Sequence, residues 1–553
     1  MNGLRRVLCG WMCVLGLHAA AQVPAQNAFR VVYKDKAGSP AANLSPRALE
    51  RRTNKGIALD STDKPVSPIY IASTLSLTEG KLHLTSRWLN YAVILLTDSS
   101  KILALAGEPY IDTIIRVGYY SPGLYKMTGG NDEPGNAPFT TAKTTGGEAY
   151  YGATYNQTKM VNGDYLHDRG YKGEGMLIAI VDDGYYRVNT NRFFDSLRTS
   201  GRIVDAHNFV KNTDDVYDAP EHGTQCLSTM AAYVPGEYVG AAPLASYALY
   251  VTEKQPEDQP LEMDNLVAAL ERADSVGADV ISASVGYNGM IPAFPSVTLA
   301  EIDGKTTVAA KGVNMANNKG IFCVMTAGND GASPWKKILT PGDADSALTV
   351  GWVNENRVPD GRSGYGPNAG GRRKPDVCLL GSNVKAIVNG VINSPAGTSF
   401  STPQMAGWAA CLLQASSKST SMYTLRTAVH KSAHLYDMPD DNQLGYGVPD
   451  FYKASEILGL KDTPTSGGGN SQWVVVRTNP VQQQLDMAIT LPQNRDVQIG
   501  ITDVNGKLIY KTTQRLQKGE QRIMIDMPQV TPGIYFVKVI AGDQRHTAKI
   551  IKR

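Results

Sequence analysis

Between residues 151 and 460, short apolar runs of the kind found in buried strands alternate with longer runs of helical character. Strands that alternate with helices form a layered α/β fold, in which helices flank a parallel sheet. The chain's 42% hydrophobic and 19% charged content is typical of a globular protein, and its net charge of +3 favours neither nucleic acid nor a membrane surface as a partner. We therefore predict an α/β domain over 151–460 and no nucleic-acid partner.

A loop followed by a helix at residues 394–414 is the most informative junction of this domain. Gly-Thr-Ser at 397–399 ends the loop, and residues 406–414 form a mostly small or apolar run. We expect the helix to begin near Ser399, with Pro403 in its first turn, where the missing N–H costs nothing. A hydroxyl at a helix N-terminus can attack a carbonyl carbon while its own N–H stabilises the oxyanion. An ordinary N-cap serine is the alternative interpretation.

Three further segments supply the side chains that such a nucleophile needs. An apolar strand at 176–181 ends at Asp182, and His222 opens a small-residue helix in the sequence His-Gly-Thr. Asn329 follows an apolar strand within Ala-Gly-Asn-Asp-Gly. Taken alone, these residues would be an Asp-Gly turn, a structural histidine and a polar turn. Together with Gly-Thr-Ser-x-x-x-Pro, and in this chain order, they resemble the catalytic segments of the subtilisin-like serine proteases, or subtilases.

This resemblance implies a subtilisin-like fold and a role for each residue. Ser399 would be the nucleophile, and His222 would be the general base that takes its proton. Asp182 would orient the imidazole, and Asn329 would complete the oxyanion hole. Asp183 departs from the family pattern, which usually has Ser or Thr at that position.

The resemblance also predicts where a substrate would bind. Residues 277–286 form a predicted strand whose end resembles the Ser-Leu-Gly edge that subtilases offer to an extended peptide. Pairing with an edge through the backbone holds a peptide without demanding much of its sequence. A buried strand followed by a turn describes the same residues equally well. The predicted substrate-binding residues are Ser284, Val285, Gly286, Ala327 and Gly328.

The N-terminus carries an export signal. Residues 1–21 have two arginines, then an apolar run over 7–17 and three alanines, which predicts a secretory signal peptide cleaved after Ala21. The apolar run is too short to span a membrane. We therefore expect the protein to be exported.

Residues 22–120 are predicted to form a small α+β domain before the central one. Strand patterns occur at 29–34, 91–97 and 113–117, and Ser45-Pro46 precedes a helical pattern. By position and pattern, this segment resembles the inhibitor-like propeptides of secreted subtilases, which cover the active site. Residues 121–150 are rich in Gly, Thr and Pro and are predicted to be an exposed processing linker.

The C-terminal part is predicted to be a separate β-sandwich. Residues 461–472 are a linker rich in Gly and Ser, and 473–553 contain short strand patterns separated by turns such as Asn505-Gly506. The segment resembles the C-terminal sorting domains of the type IX secretion system, which implies a Gram-negative bacterium of the Bacteroidetes type. Recognition would then occur at the outer membrane. A generic β-type accessory or binding module is the alternative.

The leading functional prediction is a secreted serine endopeptidase made as a precursor. Its partners would be protein or peptide substrates, its own propeptide as an intramolecular inhibitor and the type IX machinery. The protein would be secreted or held at the cell surface after crossing the periplasm and outer membrane. Two alternatives stay open: a catalytically silent peptide-binding protein on the same fold, and a surface adhesin built around the C-terminal module.

Cysteines and metals contribute little to this prediction. Besides Cys9 and Cys13 in the signal peptide, the chain has four cysteines in apolar contexts, and we expect buried free thiols, with one disulfide left open. These four are Cys226, Cys323, Cys378 and Cys411. Subtilases often bind structural Ca²⁺, but we recognise no liganding loop. We expect that catalysis requires no cofactor.

Overall fold

The structure is a computed structural model, and it describes residues 26–120, 147–254, 258–460 and most of 473–552. In the last range the described residues are 473–476, 481, 483–491, 493–504, 506–527, 530–542 and 544–552. The predicted signal peptide, Asn505 and the linker at 461–472 lie outside these residues, as does the linker at 121–150 up to residue 146. The chain divides into two compact units, Met1–Leu460 and Lys461–Arg553.

The N-terminal segment, residues 26–120, forms a four-stranded antiparallel sheet in the order β2-β3-β1-β4. Its strands and helices are β1 (Gln26–Tyr33), α1 (Pro46–Asn54), α2 (Pro68–Thr78), β2 (Lys81–Ser86), β3 (Tyr91–Leu96) and β4 (Ile111–Tyr120). All six residues of β3 are buried, because alternate side chains pack on opposite faces of the sheet. The predicted α+β character of this segment is confirmed.

The two faces of this sheet have different neighbours. One face packs on α2, and the other packs on Leu261 and Ala268 of the central domain. Helix α1 begins as predicted, because the Ser45 side chain accepts a hydrogen bond from the Ala48 N–H and Pro46 occupies the first position.

The central domain, residues 147–460, is built on a seven-stranded sheet in the order β13-β12-β11-β10-β5-β9-β6, and every pairing in it is parallel. The strands of this domain are β5 (Leu177–Asp182), β6 (Ile203–Asn208), β7 (Tyr233–Val234), β8 (Tyr238–Val239), β9 (Ser246–Val251), β10 (Val280–Ala283), β11 (Phe322–Thr326), β12 (Leu348–Val353), β13 (Val377–Leu380), β14 (Ala386–Val388) and β15 (Val391–Asn393). The predicted α/β class is therefore confirmed.

Helices cover both faces of this sheet. The helices of this domain are α3 (Glu148–Tyr151), α4 (Tyr155–Lys159), α5 (Asp164–Asp168), α6 (Asp195–Thr199), α7 (His222–Ala231), α8 (Pro260–Val276), α9 (Val308–Asn318), α10 (Thr398–Ala415), α11 (Met422–Ser432) and α12 (Phe451–Ile457). Helices α7 and α10 share one buried core with the sheet, and α8 and α9 share the other. The last residues of the predicted linker belong to α3. Within the described residues, no helix combines the length and apolarity that crossing a membrane would require.

The C-terminal module, the described residues of 473–552, contains two antiparallel sheets in the orders β16-β17-β20 and β19-β18-β21-β22. Its strands are β16 (Val474–Val476), β17 (Gln484–Leu491), β18 (Arg495–Asp503), β19 (Leu508–Leu516), β20 (Gly519–Asp526), β21 (Gly533–Ala541) and β22 (Gln544–Lys552). Alternate residues of both sheets meet in one buried core, so the module has the predicted sandwich architecture.

Candidate active site

The carboxyl end of β5 and the start of α7 bring Asp182 and His222 together. His222 Nδ1 lies 2.6 Å from Asp182 Oδ1. The close approach requires glycine after the histidine, since a Cβ on Gly223 would lie 2.4 Å from Gly184 O and 2.9 Å from Asp182 Cβ. The sequence His-Gly therefore lets the helix begin directly against the end of the strand.

The environment of this pair favours a charged imidazole. The Asp182 side chain is 1% exposed and that of His222 is 36% exposed. Burial alone would lower the pKa of His222, but the adjacent Asp182 carboxylate outweighs this effect and raises the pKa well above its ordinary value. The site therefore stabilises the protonated form of His222.

Ser399 is the second residue of α10, and Pro403 is the sixth. The expectation that Pro403 lies in the first helical turn is therefore wrong. A proline inside a helix leaves the carbonyl four residues earlier without its helical donor, and that carbonyl belongs to Ser399. The Cys226 thiol and the Ser284 hydroxyl each donate to Ser399 O at 3.1 Å, which replaces the lost hydrogen bond.

Cys226 connects the histidine to the serine segment. Its sulfur lies 3.8 Å from His222 Nδ1 and 3.1 Å from Ser399 O. Among the described residues no hydrogen bond joins Ser399 Oγ to His222. The arrangement places Ser399 next to the Asp182–His222 pair.

Asn329 is an exposed residue, and hydrogen bonds hold its side-chain amide in one orientation. Its Oδ1 accepts hydrogen bonds of 3.0 Å from both the N–H and the Oγ1 of Thr398. Because a backbone N–H can only donate, the oxygen of the amide must face Thr398 and the NH₂ group must face away. Thr326 Oγ1 in turn donates to Thr398 Oγ1 at 2.7 Å.

The predicted substrate-binding residues lie at the ends of β10 and β11. Strand β10 ends at Ala283, so residues 284–286 follow the strand rather than form its last part as we expected. Ser284 directs its hydroxyl to Ser399 O, and Val285 is 6% exposed. The carbonyls of Ala327 and Gly328 accept from the N–H groups of Leu339 and Gly364.

Asp183 contributes to the site in a way that the sequence did not indicate. Its Oδ1 accepts a 3.2 Å hydrogen bond from the Gly223 N–H, next to His222. Burial, followed by the neighbouring Asp182 carboxylate, raises the pKa of Asp183 to about 7. Thr326 was missed as well. The only signal for it is a threonine at the last position of an otherwise apolar strand.

Two clusters in the described part of the chain have ligand-type atoms within 4.8 Å of one another. One is Asp182, His222 and Cys226, and the other is Glu253, Asp258 and Glu262. In the second cluster, Tyr287 donates to Glu253, and the Lys254 N–H donates to Glu262. The four cysteines of the central domain are free and buried, as predicted.

The N-terminal segment contacts α8 through buried ion pairs. Asp274, whose side chain is 0% exposed, accepts from the guanidinium groups of Arg51, Arg52 and Arg87. Glu271 accepts from the Ser86 hydroxyl at 2.6 Å and from two backbone N–H groups of the same segment. At the end of β4, the Tyr119 N–H donates to the Gln259 side chain.

Comparisons with protein families identify three domains along the chain. The model of the Subtilase family matches residues 173–447. A Peptidase S8 propeptide domain of the Bacteroidota matches residues 28–122, and a secretion system C-terminal sorting domain matches residues 478–553. The chain therefore contains a peptidase domain preceded by a propeptide domain and followed by a sorting domain.

Individual relatives are also proteases. Subtilisin BL of Lederbergia lenta is 29% identical over 250 residues, which are 45% of this chain and 80% of that protein. Serine protease AprX of Bacillus subtilis is 26% identical over 272 residues, 44% of this chain and 58% of that one. The crystal structure of the epidermin leader peptide processing serine protease of Staphylococcus aureus covers 80% of this chain and 100% of that chain, with a TM-score of 0.52 and 18% identity, a similarity of fold.

Proposed function

This chain is a subtilisin-like serine protease of the subtilase family, and we propose that it is an endopeptidase working through an Asp182–His222–Ser399 triad. Ser399 Oγ attacks the scissile carbonyl carbon while His222 takes the hydroxyl proton. The proton then passes to the leaving amine, and an acyl-enzyme remains on Ser399. Water, activated by the same imidazole, releases the acid and restores the serine.

The single observation that carries this proposal is the 2.6 Å contact between His222 Nδ1 and Asp182 Oδ1 beside the N-terminus of α10. The contact fixes the proton on Nδ1, which leaves Nε2 free to act as the base. Asp182 also stabilises the imidazolium that forms during attack. The proposed reaction uses side chains, backbone groups and water, so no cofactor enters it.

The negative oxygen of the tetrahedral intermediate has two proposed donors. One is the Asn329 NH₂ group, which faces away from Thr398 because Thr398 occupies the amide oxygen. The other is the Ser399 N–H, at the second position of α10, where the first turn has no helical acceptors. Extended protein substrates would lie along residues 284–286 and 327–328.

The flanking domains define the context of the activity. The sorting domain indicates an exported protein that is secreted or held at the cell surface. We propose export through the periplasm and across the outer membrane, with the type IX machinery as the partner of residues 478–553. The propeptide domain, which packs on α8, is the proposed intramolecular inhibitor.

Hydrolysis by the mature protein tests this proposal. The wild type should cut a denatured protein into internal fragments, and Ser399→Ala should cut at the background rate. Ser394→Ala is a matched control, because Ser394 is an exposed serine of the preceding loop. If Ser399→Ala cut the protein at the full rate, the result would favour a catalytically silent binding protein. The hydrolysis would then come from a contaminating protease.

A further inference from the structure

Asp182 and Asp183 form a buried pair of carboxyl groups at the end of β5. Their residues are 1% and 6% exposed, and the Asp183 N–H donates to Asp182 Oδ1 at 2.9 Å. Charging two adjacent buried carboxyl groups together costs free energy, and a proton shared between such groups removes that cost. The family pattern, with Ser or Thr in place of Asp183, creates no such pair.

The two oxygens of Asp182 are used unequally. Oδ1 accepts from His222 Nδ1 at 2.6 Å and from the Asp183 N–H at 2.9 Å. Oδ2 is buried and has no hydrogen-bond donor among the described residues. A buried acceptor without a donor is costly, so a proton between the two carboxyl groups would satisfy it.

We propose that Asp183 is a positioning residue that carries this proton. As a neutral carboxylic acid it donates its O–H to Asp182 Oδ2 and accepts the Gly223 N–H at its own Oδ1. It thereby ties the end of β5 to the start of α7 and fixes the carboxylate that orients His222. The proposal rests on the proposed function, since it assumes the triad roles of Asp182 and His222.

The charged and titratable groups around Asp183 come from several elements. Asp182 precedes it on β5, His222 interacts with it from α7, and Tyr185 lies in the following loop. Cys226, also on α7, interacts with Asp182 and His222. Burial raises the pKa of the Cys226 thiol to about 12, so the thiol is neutral near pH 7. Glu253, beyond β9, also interacts with Asp182, and burial raises its pKa to about 8.

These surroundings set the sign of the pH dependence. Burial and Asp182 raise the pKa of Asp183 to about 7, so the group loses its proton as the solution becomes alkaline. The second negative charge then stabilises the imidazolium of His222, which raises the pKa of the base further. Activity requires neutral His222, so ionised Asp183 shifts the rise of kcat/KM to higher pH.

Two substitutions separate this role from a purely structural one. Asp183→Asn preserves the shape, donates an N–H to Asp182 Oδ2 and accepts from Gly223, but it cannot ionise. Asp183→Ala removes the donor and the acceptor together. The experiment measures kcat and KM of the mature full peptidase between about pH 5 and pH 10 for both variants and the wild type.

We expect the acid limb of kcat/KM in Asp183→Asn to lie about one pH unit below that of the wild type. In Asp183→Ala, kcat should fall at least about tenfold below that of Asp183→Asn, with little change in KM. An acid limb that stays in place in Asp183→Asn overturns the proposal, as does equal kcat in the two variants. If Asp183→Ala does not fold, the acid limb of Asp183→Asn decides alone. Failure here would occur in an active enzyme, whereas the proposed function fails only if Ser399 is dispensable.

Discussion

The guanidinium group of Arg30 on β1 donates two hydrogen bonds, of 2.7 and 2.8 Å, to the carboxylate of Asp264 on α8. Both side chains are at least nine-tenths buried. A buried ion pair of this kind adds little to the stability of the fold compared with an apolar contact of the same size. Removing one partner, however, is strongly destabilising, because the other charge is left buried without a partner. The propeptide domain is therefore matched in charge to α8, the peptidase helix on which its sheet packs.

The acidic face of α8 should hold the propeptide domain in place. Asp274→Ala would leave Arg51, Arg52 and Arg87 without their shared carboxylate in a buried interface. In the Ser399→Ala precursor, we expect this change to lower the free energy of unfolding by about 3–5 kcal/mol. Denaturant unfolding measures it.

An exposed ion pair at the edge of the same interface provides a matched control. Glu50 pairs with Lys418, and these side chains are 58% and 76% exposed. Glu50→Gln should leave the unfolding midpoint unchanged, because exposed ion pairs contribute little. Equal effects of the two substitutions would contradict the account of a charge-matched interface.

Asn329 should act on the transition state rather than on substrate binding. Asn329→Ala removes the NH₂ group that Thr398 orients. We expect kcat to fall by about 10²- to 10³-fold, or about 2.7–4 kcal/mol, the range known for the corresponding donor in subtilisin. KM should change little. Steady-state kinetics on a peptide substrate give both values, and a rise in KM at unchanged kcat would refute the assignment.

Thr326 should support Asn329 indirectly. Its hydroxyl donates to Thr398 Oγ1, whose own proton is thereby directed to Asn329 Oδ1. Thr326→Val keeps the shape and removes the donor, so we expect kcat to fall about tenfold at similar KM. Thr326→Ser keeps the hydroxyl and should restore most of kcat. If the valine and serine variants had the same kcat, the hydrogen bond from Thr326 to Thr398 would have no role in catalysis.

The sorting domain should be dispensable for catalysis. It belongs to a compact unit of its own, separate from the unit that contains the peptidase domain. Deletion of residues 473–553 should therefore leave kcat/KM on a peptide unchanged. We expect the shortened protein to accumulate in the periplasm, which cell fractionation measures. Normal release into the medium would show that export does not depend on this domain.

Local sequence patterns predicted much of the site. Strand β5 ends at Asp182 and α7 begins at His222, and both signals lie within a few residues of the side chain concerned. The carboxyl ends of parallel strands meet at one edge of the sheet, so residues that follow different strands converge there. Short strand patterns separated by turns similarly predicted the strands of the C-terminal module.

The misplaced features depend on partners far away in the chain. Pro403 can lie in the second turn of α10 because donors from α7 and from the end of β10 satisfy Ser399 O. Asp274 accepts hydrogen bonds from three arginines that lie more than 180 positions away in the chain. No local sequence pattern predicts a contact of this kind. Asp183 was recognised as a departure from the family, but its contact with Gly223 required the fold.

Labelling of the nucleophile tests the central claim most directly. A fluorophosphonate probe reacts with a serine hydroxyl that a neighbouring base activates and an oxyanion hole supports. In the mature protein without its propeptide domain, we expect one equivalent of probe on Ser399, located by peptide mass mapping, and a strongly reduced labelling rate in His222→Ala. Absence of label on Ser399 in the folded mature protein, or equal labelling of Ser399→Ala, would contradict it.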